Sequence, residues 1–258
     1  MAVTQGKGGP RVIMFRTIAL IGGVLHALPI VFLAISVSAA KDRIHVVHNT
    51  AGFALFTAVI ALGWILAAVS PDRMIAPFQA ATLAASALTA ASLISADIQG
   101  GSITVAIAVL LVALHPARSS LFRMGRTAPA PLVLAALAAL PAVVFALSNA
   151  SLQRNGMPMD PHIEMHHWTG MVAFALTPLV VAVVAGLGGP NRRIVAMAGG
   201  FSAAFFGVMS LLYSGYPGAV SAPWAIGCIV WGAALGGDGY RMARDPTGER
   251  LSVNAGSA

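Results

Sequence analysis

Long apolar runs alternate with short polar segments along the whole chain. Eight of these runs approach the length of about 20 residues that an α-helix needs to cross a bilayer. They cover residues 17–39, 48–69, 77–95, 102–115, 131–150, 167–187, 194–214 and 222–237. The fourth and the eighth are short, so we expect them either to tilt little or to extend into the headgroups. The pattern predicts an all-α membrane protein with eight transmembrane helices.

The composition favours lipid as the environment of these helices. Hydrophobic residues make up 58% of the 258 residues and charged residues only 9%, whereas a soluble domain carries about a quarter charged residues. The net charge of +7 comes from segments between apolar runs, so it indicates loop charge and no nucleic-acid partner. The first run exceeds the about 7–15 apolar residues of a signal peptide, and we expect it to remain as a helix.

The distribution of basic residues predicts the orientation. With a cytoplasmic N-terminus, the outer loops hold three of the 15 lysines and arginines, namely Lys41, Arg43 and Arg154. The other twelve (15 − 3) lie on the inner side, and cytoplasmic loops are the ones enriched in Lys and Arg. We therefore expect a multi-pass protein of the plasma (inner) membrane with both termini cytoplasmic. Residues 1–16 would form the N-terminal segment and residues 239–258 a disordered tail.

The two halves of the chain resemble each other in order. Residues 26–32 align with 138–144, 48–52 with 166–170, and 71–73 with 190–192. The second half carries an insertion that includes residues 156–161. Four helices per half is an even number, so the sequence predicts two parallel four-helix repeats, residues 17–128 and 129–238. His48 and His166 are equivalent in this alignment, and we expect them to face each other at the same depth.

Five of the seven histidines lie at the predicted outer face. His162 and His166 are four residues apart and His45 and His48 three apart, spacings that put two imidazoles on one side of a helix. Imidazole together with thioether points to copper, and two facing histidines also suit the axial positions of a haem b iron. The predicted metal ligands are His45, His48, His162, His166, His167 and Met165.

The expected haem-binding residues are His48, His166 and His26. His26 lies near the middle of the first apolar run, where an ionisable group is costly and usually faces the interior of the bundle. It would belong to a proton path or a cofactor site, or it would be a neutral histidine that donates to a neighbouring carbonyl. Asp160 and Glu164 are candidates for holding the N–H groups of ligand imidazoles.

Some chemistries are excluded by residues that the sequence lacks. The only lysines, Lys7 and Lys41, lie outside the apolar runs, so no retinal Schiff base is expected within the helices. The sequence contains no phosphate-binding glycine loop, nucleophile elbow or His-Glu-x-x-His motif. Cys228 is the single cysteine, so no intrachain disulfide forms.

Two family resemblances attach to the second half of the chain. Pro158-Met159-Asp160-Pro161, followed by His166 and Phe174, resembles the uncharacterised actinobacterial membrane proteins grouped as DUF998, mainly over residues 158–214. That family implies a multi-pass membrane protein without an established activity. The stretch His167-Trp168-Thr169-Gly170 is similar to cytochrome b561 proteins, whose histidines bind haem. In that family the ligand helices are consecutive, whereas here three other helices separate them.

Two classes of function follow from these observations. The first is a bundle without catalytic activity that acts as a transporter, a lipid-binding protein or a partner subunit in a membrane assembly or homo-oligomer. The second is a membrane redox or metal-handling protein with an outward-facing His/Met site for haem or copper. The residues leave open whether the chain is an enzyme and what its substrate is.

Overall fold

The fold is built from helices in every part of the chain that the structure, a computed structural model, describes: residues 9–97, 101–122, 127–157 and 160–244. The α-helices are α1 (Pro10–Ala27), α2 (Pro29–Ser38), α3 (Val46–Gly52), α4 (Leu62–Val69), α5 (Ile75–Ser95), α6 (Ser102–Leu114), α7 (Pro129–Asn155), α8 (Pro161–Glu164), α9 (His167–Leu187), α10 (Arg192–Leu212) and α11 (Ala222–Arg244). Two 3₁₀ helices cover Ala40–His45 and Arg118–Phe122, and a π-helix covers Phe53–Ala61.

Six helical stretches within the described residues are long and apolar enough to cross a membrane. They are Pro10–Ser38, Asp42–Val69, Ile75–Ser95, Pro129–Asn155, His167–Leu187 and Arg192–Leu212. The prediction of an all-helical fold is therefore confirmed for the described residues, and these six stretches are compatible with a multi-pass membrane protein. Of the other two predicted spans, α6 has 13 residues, which at 1.5 Å per residue is about 20 Å. The other, α11, has 23 residues and carries Asp238 and Arg241 in its second half.

Several helices extend beyond the predicted boundaries. The first helix begins at Pro10, so it includes part of the predicted N-terminal segment 1–16. The predicted tail 239–258 begins inside α11, which continues to Arg244. The fifth predicted span, 131–150, extends to Pro129–Asn155. Residues 1–8 and 245–258 lie outside the described part of the chain.

A proline separates α1 from α2. Pro29 has no N–H to donate, so a helix running through it leaves carbonyls of the preceding turn without their usual partner. The hydroxyl of Thr57 donates to two of these carbonyls, at 3.3 Å to His26 and 3.4 Å to Ala27. A side chain of the neighbouring helix thus satisfies backbone groups that lipid could not.

The helices divide into a buried centre and a periphery. In the most apolar window of α9, 61% of the residues are buried inside the protein, and in those of α5 and α10 56% are. The corresponding shares are 17% for α7 and 22% for the stretch Pro10–Ser38. The stretch Asp42–Val69 is also buried to 56%. The core therefore lies around this stretch, α5, α9 and α10, and α1, α2 and α7 present most of their apolar surface outwards.

Packing follows the same order in the two halves of the chain. In the first half, α1 contacts α4 and α6, and α5 also contacts α4 and α6. In the second half, α7 contacts α9 and α11, and α10 also contacts α9 and α11. The halves meet mainly through α5 and α3 against α9, and through the π-helix against α10.

Small residues let α10 and α11 approach closely. A Cβ added at Gly200 would lie 2.5 Å from the carbonyl oxygen of Gly232 and 2.5 Å from the amide nitrogen of Gly236. Only hydrogen fits between these backbones, which is the packing that small residues permit in lipid. A Cβ added at Gly207 would likewise lie 2.5 Å from the carbonyl oxygen of Ala225, so the close packing continues towards the loop between α10 and α11.

The π-helix Phe53–Ala61 joins α3 to α4, so that Val46–Val69 is one continuous helical rod. Its hydrogen bonds close from residue i to i+5 rather than i+4, an arrangement that is rare and often found at functional sites. It separates His48, near the start of the rod, from the fully buried Trp64 in α4.

Candidate metal centre

Four histidines from two distant parts of the chain come together. His45 ends the 3₁₀ helix Ala40–His45, His48 lies in α3, His162 lies in α8, and His167 is the first residue of α9. The ring centroids are 4.7 Å apart for His48 and His162, 4.9 Å for His45 and His162, and 5.0 Å for His45 and His167. We call these four residues the histidine cluster.

Three members of the cluster are arranged as metal ligands. One ligand atom each of His45, His162 and His167 lies within 4.8 Å of the other two. A tetrahedral ion with metal–nitrogen bonds of about 2.0–2.1 Å needs nitrogens about 3.4 Å apart. Side-chain rotations that close the triangle by about 1 Å would bring the three imidazoles onto one ion.

The cluster contains buried nitrogens without hydrogen-bond partners in the described part of the chain. They are Nδ1 of His45, Nδ1 of His167 and both ring nitrogens of His48. Buried polar atoms in proteins are nearly always satisfied, and those that are not call for an explanation such as a bound ion or water. Four such atoms on three adjacent rings indicate that the cluster is built to receive something polar.

Asp160 orients one ligand ring and a neighbouring indole. Its Oδ1 accepts a hydrogen bond from the backbone N–H of His162 (3.0 Å), as the cap of α8, and lies 2.7 Å from Nδ1 of the same imidazole. Its Oδ2 accepts from Nε1 of Trp168 at 3.2 Å. A carboxylate on one imidazole nitrogen leaves the other for a metal, the arrangement that holds most ligand histidines. That second nitrogen, Nε2, is 3.3 Å from the carbonyl oxygen of Ile44, a contact that a metal would replace.

Ionisation of Asp160 is favoured by the same contacts. Partial burial raises the pKa of this carboxyl, but the hydrogen bonds from the backbone and ring of His162 and from Trp168 outweigh that effect and hold the pKa below its usual value. Asp160 is therefore a carboxylate at neutral pH, as a partner for a metal-bound imidazole must be.

His48 is enclosed by an aromatic ring and by the loop between α10 and α11. The edge of Trp168 meets it at 4.6 Å between centroids and 80° between planes. A Cβ added at Gly218 would lie 3.0 Å from Cε1 and 3.1 Å from Nε2 of His48, and 3.3 Å from Cε of Met171. Gly218 also has a φ of +84°, which favours glycine. Only glycine allows the loop to close over the cluster in this way.

His166 lies outside the cluster. The helix α8 ends at Glu164, and His166 itself has a φ of +56°, so the predicted face shared by His162 and His166 was wrong. Its Nδ1 is 2.8 Å from Oδ2 of Asp97, which also accepts from the hydroxyl of Thr169 at 2.6 Å. The ring that stacks on His48 is that of the next residue, His167, with 5.2 Å between centroids and 19° between planes.

His26 has protein partners at both ring nitrogens. Nδ1 is 2.7 Å from the carbonyl oxygen of Gly22, and Nε2 is 2.9 Å from the hydroxyl of Thr104 in α6. The ring packs edge-on against Trp64, with 4.9 Å between centroids. With both nitrogens engaged, this histidine joins α1 to α6 and offers no nitrogen to a ligand.

The methionines contribute less than the sequence suggested. Met165 is 48% exposed and Met157 is 79% exposed, whereas Met171 is fully buried beside Gly218. Met159 lies outside the described residues. Asp160 and Glu164 were both expected near the imidazoles. Asp160 contacts the ring of His162, whereas Glu164 is exposed.

The arrangement of the rings does not fit haem. Axial ligands of one iron each direct a nitrogen at the metal from opposite sides of the porphyrin. His48 and His167 instead turn their faces to each other, and His166 is engaged by Asp97. A porphyrin cannot enter between stacked rings that are 5.2 Å apart without separating them.

Sequence reasoning missed three residues of this region. Neither Asp97 nor Gly218 was among the predicted site residues, and Trp168 entered only within a family resemblance. Comparison with protein-family models, with curated proteins and with solved structures finds no match. A functional proposal for this chain therefore depends on the residues and their geometry.

Proposed function

We propose that this chain is a multi-pass membrane protein that binds a first-row transition-metal ion at the histidine cluster. The observation that carries the proposal is the triangle of ligand atoms from His45, His162 and His167, all within 4.8 Å of one another. The unpartnered buried nitrogens of His45, His167 and the adjacent His48 support it, because a metal ion would satisfy such atoms.

The donor set favours Cu(II) or Zn(II). Imidazole is a ligand for copper, zinc, iron and nickel, and the affinity of a given site among divalent ions is highest for copper. A soft Cu(I) site would draw on thioethers, but Met165 is half exposed to solvent. The carboxylate of Asp160 on His162 adds the support that fixes a ligand ring for such an ion.

The function that fits this site is metal handling at the membrane. Three imidazoles with a fourth beside them supply nitrogen donors, and the carboxylate of Asp160 contacts the ring of His162 without being one of the three ligand groups. With the imidazole of His48 as a fourth donor the site would be closed, whereas a catalytic zinc centre keeps its fourth position for water. Storage, delivery or transport of the ion are the activities consistent with it.

We further propose eight transmembrane segments, arranged as two parallel four-helix repeats with both termini in the cytoplasm. Of the 15 basic residues, three lie in the outer loops and the other twelve on the inner side, and this division supports the orientation. The matching order of helix contacts in the two halves supports the repeat. In this arrangement the histidine cluster, at the start of α9, lies on the outer side of the membrane.

Metal analysis of the purified protein tests the proposal. After incubation with Cu(II) or Zn(II) and removal of the excess, elemental analysis should find about one ion per chain, because three imidazoles make one site. The variants His162→Ala and His167→Ala should each lose most of the bound metal. His166→Ala is the matched control, since it removes the adjacent imidazole that Asp97 engages, and it should bind as the natural chain does. Absence of stoichiometric metal in the natural chain, or equal loss in the control, would contradict the proposal.

A further inference from the structure

A buried methionine, Met171, lies beside the histidine cluster and one turn further along α9. It is fully buried and follows His167 by four residues, so the two side chains lie on the same face of the helix. At 1.5 Å per residue the step along α9 is about 6 Å. The cluster is therefore continued into α9 by a thioether that solvent does not reach.

The side chains of His48 and Met171 meet at one point of the loop between α10 and α11. The position that a Cβ of residue 218 would take is 3.1 Å from Nε2 of His48 and 3.3 Å from Cε of Met171. These distances are closer than a side-chain carbon normally approaches, and Gly218 places no side chain there. Metal–ligand bonds are shorter, at about 2.0–2.1 Å to nitrogen and 2.3 Å to sulfur. This place therefore suits a metal ion better than a carbon atom.

His48 supplies a buried nitrogen that needs a partner. The residue is 5% exposed, and neither ring nitrogen has a partner in the described part of the chain. The ring of His167 stacks on one face of this imidazole, and the edge of Trp168 meets it, so its Cε1–Nε2 edge is held towards Gly218. A neutral imidazole has one acceptor nitrogen. His48 can thus serve an ion in the ligand triangle or an ion beside Met171, one at a time.

The pair of donors selects a soft ion of low charge. Thioether ligands favour Cu(I) among the metals of proteins, and imidazole binds copper as well. Methionine is unbranched and has three rotatable bonds, so small rotations turn the sulfur of Met171 towards Nε2 of His48. Both donors are neutral and buried, and the cost of burying an ion rises with its charge. A monovalent ion is therefore favoured over a divalent one.

We propose that His48 and Met171 form a second metal position, which binds a soft monovalent ion of the Cu(I) class through Nε2 and the thioether sulfur. The proposal rests on the metal-handling function proposed for the cluster and extends it to the reduced form of copper. His45, His162 and His167 hold the divalent ion at the start of α9, and the monovalent ion lies about one turn deeper.

Binding of Ag(I) to the purified full-length protein tests the proposal. Ag(I) is a soft monovalent ion that keeps its oxidation state in water, and Cys228→Ala removes the one thiol that would compete for it. After a wash with free methionine, which strips Ag(I) from exposed thioethers, and desalting, about one ion per chain should remain. X-ray absorption should show both nitrogen and sulfur neighbours. Absence of tightly bound Ag(I), or a shell without sulfur, would overturn the proposal without any change at the site.

Substitution of one methionine identifies the sulfur. Met171→Leu conserves volume, and it should lose the sulfur neighbour and weaken Ag(I) binding by at least about tenfold. Met209→Leu is the matched control, because it removes a buried thioether (7% exposed) from α10, and it should bind Ag(I) as the parent protein does. Equal losses in the two variants, or no loss in Met171→Leu, would overturn the proposal.

Zn(II) binding separates this proposal from the one on which it rests. Met171→Leu should still bind about one Zn(II) ion, because the ligand triangle contains no thioether. A chain that binds Zn(II) but holds Ag(I) without sulfur would refute the second position and leave the proposed function intact. A chain that holds Ag(I) through nitrogen and sulfur but binds no Zn(II) would support the position at Met171 and contradict the site formed by the triangle.

Discussion

The imidazoles of His48 and His167 stack face to face, with 5.2 Å between centroids and 19° between ring planes. The two residues belong to different halves of the chain, one in α3 and the other at the first position of α9. The stack therefore couples the two halves at the candidate metal centre. A change that displaces one ring should disturb both its partner and the ligand triangle.

Replacement of Gly218 tests how closely the loop covers the cluster. In Gly218→Ala the new Cβ would lie 3.0 Å from Cε1 of His48, and alanine is strained at the φ of +84°. We expect a loss of about 1–3 kcal/mol in the free energy of unfolding and metal affinity at least tenfold weaker, measured by chelator competition. The control is Gly215→Ala, where an added Cβ meets nothing within 4 Å. Equal effects of the two substitutions would refute this account of the loop.

Asp160 should contribute to metal affinity through His162. Asp160→Asn retains a good helix cap but replaces the carboxylate on the ring nitrogen with a neutral amide. Removal of such a partner typically weakens metal binding about 10–100-fold, and we expect a loss in that range by chelator competition. Glu164→Gln changes the same charge four residues along the chain, at an exposed position, and should bind normally. An Asp160 variant of unchanged affinity would show that the carboxylate only caps the helix.

Asp97 should stabilise the fold without affecting the metal. Asp97→Ala leaves both Nδ1 of His166 and the hydroxyl of Thr169 without their acceptor. We expect about 1–3 kcal/mol of destabilisation, measured by thermal unfolding in detergent, and unchanged metal stoichiometry. Asp97→Asn keeps an acceptor oxygen, so it should lose less stability than Asp97→Ala. Loss of metal in both variants would instead place His166 among the ligands.

His115 predicts a dependence of stability on pH. It lies just beyond the end of α6, is fully buried between Phe15 and Phe78, and accepts a hydrogen bond from the backbone N–H of Ala117 at 3.1 Å. Burial lowers the pKa of His115 from 6.5 to about 4, with the charge of Asp72 opposing the shift and that of Arg11 adding to it.

The unfolded chain therefore takes up a proton at a higher pH than the folded one. Stability that is present above pH 6.5 should decline as the pH falls towards 4, by about 3 kcal/mol. The measurement is thermal unfolding of the metal-free protein at pH 7.5 and 4.5. His115→Asn should be less stable at pH 7.5 but should show a smaller decline. Identical declines in both proteins would assign the pH dependence to other groups.

Cysteine labelling tests the proposed orientation. On a Cys228→Ala background, Met157→Cys introduces a thiol at a position that is 79% exposed, and Ser119→Cys introduces one at an exposed position of the 3₁₀ helix Arg118–Phe122. A membrane-impermeant maleimide should modify position 157 in intact cells and position 119 only after lysis. Modification of both positions from one side would contradict the parallel repeat.

The apolar runs predicted the helical fold and the six stretches that are long and apolar enough to cross a membrane, because this property depends on local composition. It did not predict where the first helix begins. Arg11 lies in that helix because its guanidinium donates to the carbonyl oxygens of Ala113, Leu114 and His115 at the end of α6. Such a contact between distant residues offsets the polar character of the segment, and hydropathy along the chain does not reveal it.

The candidate site was predicted in part. The sequence placed five histidines near one end of the bundle, and four of them form the cluster. The prediction for His166 relied on a continuous helix through residue 162, whereas the left-handed backbone at His166 turns this residue towards Asp97 and leaves His167 facing His48. A single backbone angle thus decides which of two adjacent histidines joins the cluster, and helical spacing contains no information about it.

The π-helix Phe53–Ala61 determines where this protein tolerates a change in length. Each hydrogen bond of a π-helix spans one residue more than that of an α-helix. Deletion of one residue there would allow bonds from i to i+4 to form, so α3 and α4 on either side would keep their positions. The same deletion in α4 would rotate the preceding helix by about 100°, carrying His48 away from His167. Among homologous chains, a one-residue gap between α3 and α4 should therefore occur without loss of the histidines, and gaps elsewhere in Val46–Val69 should not.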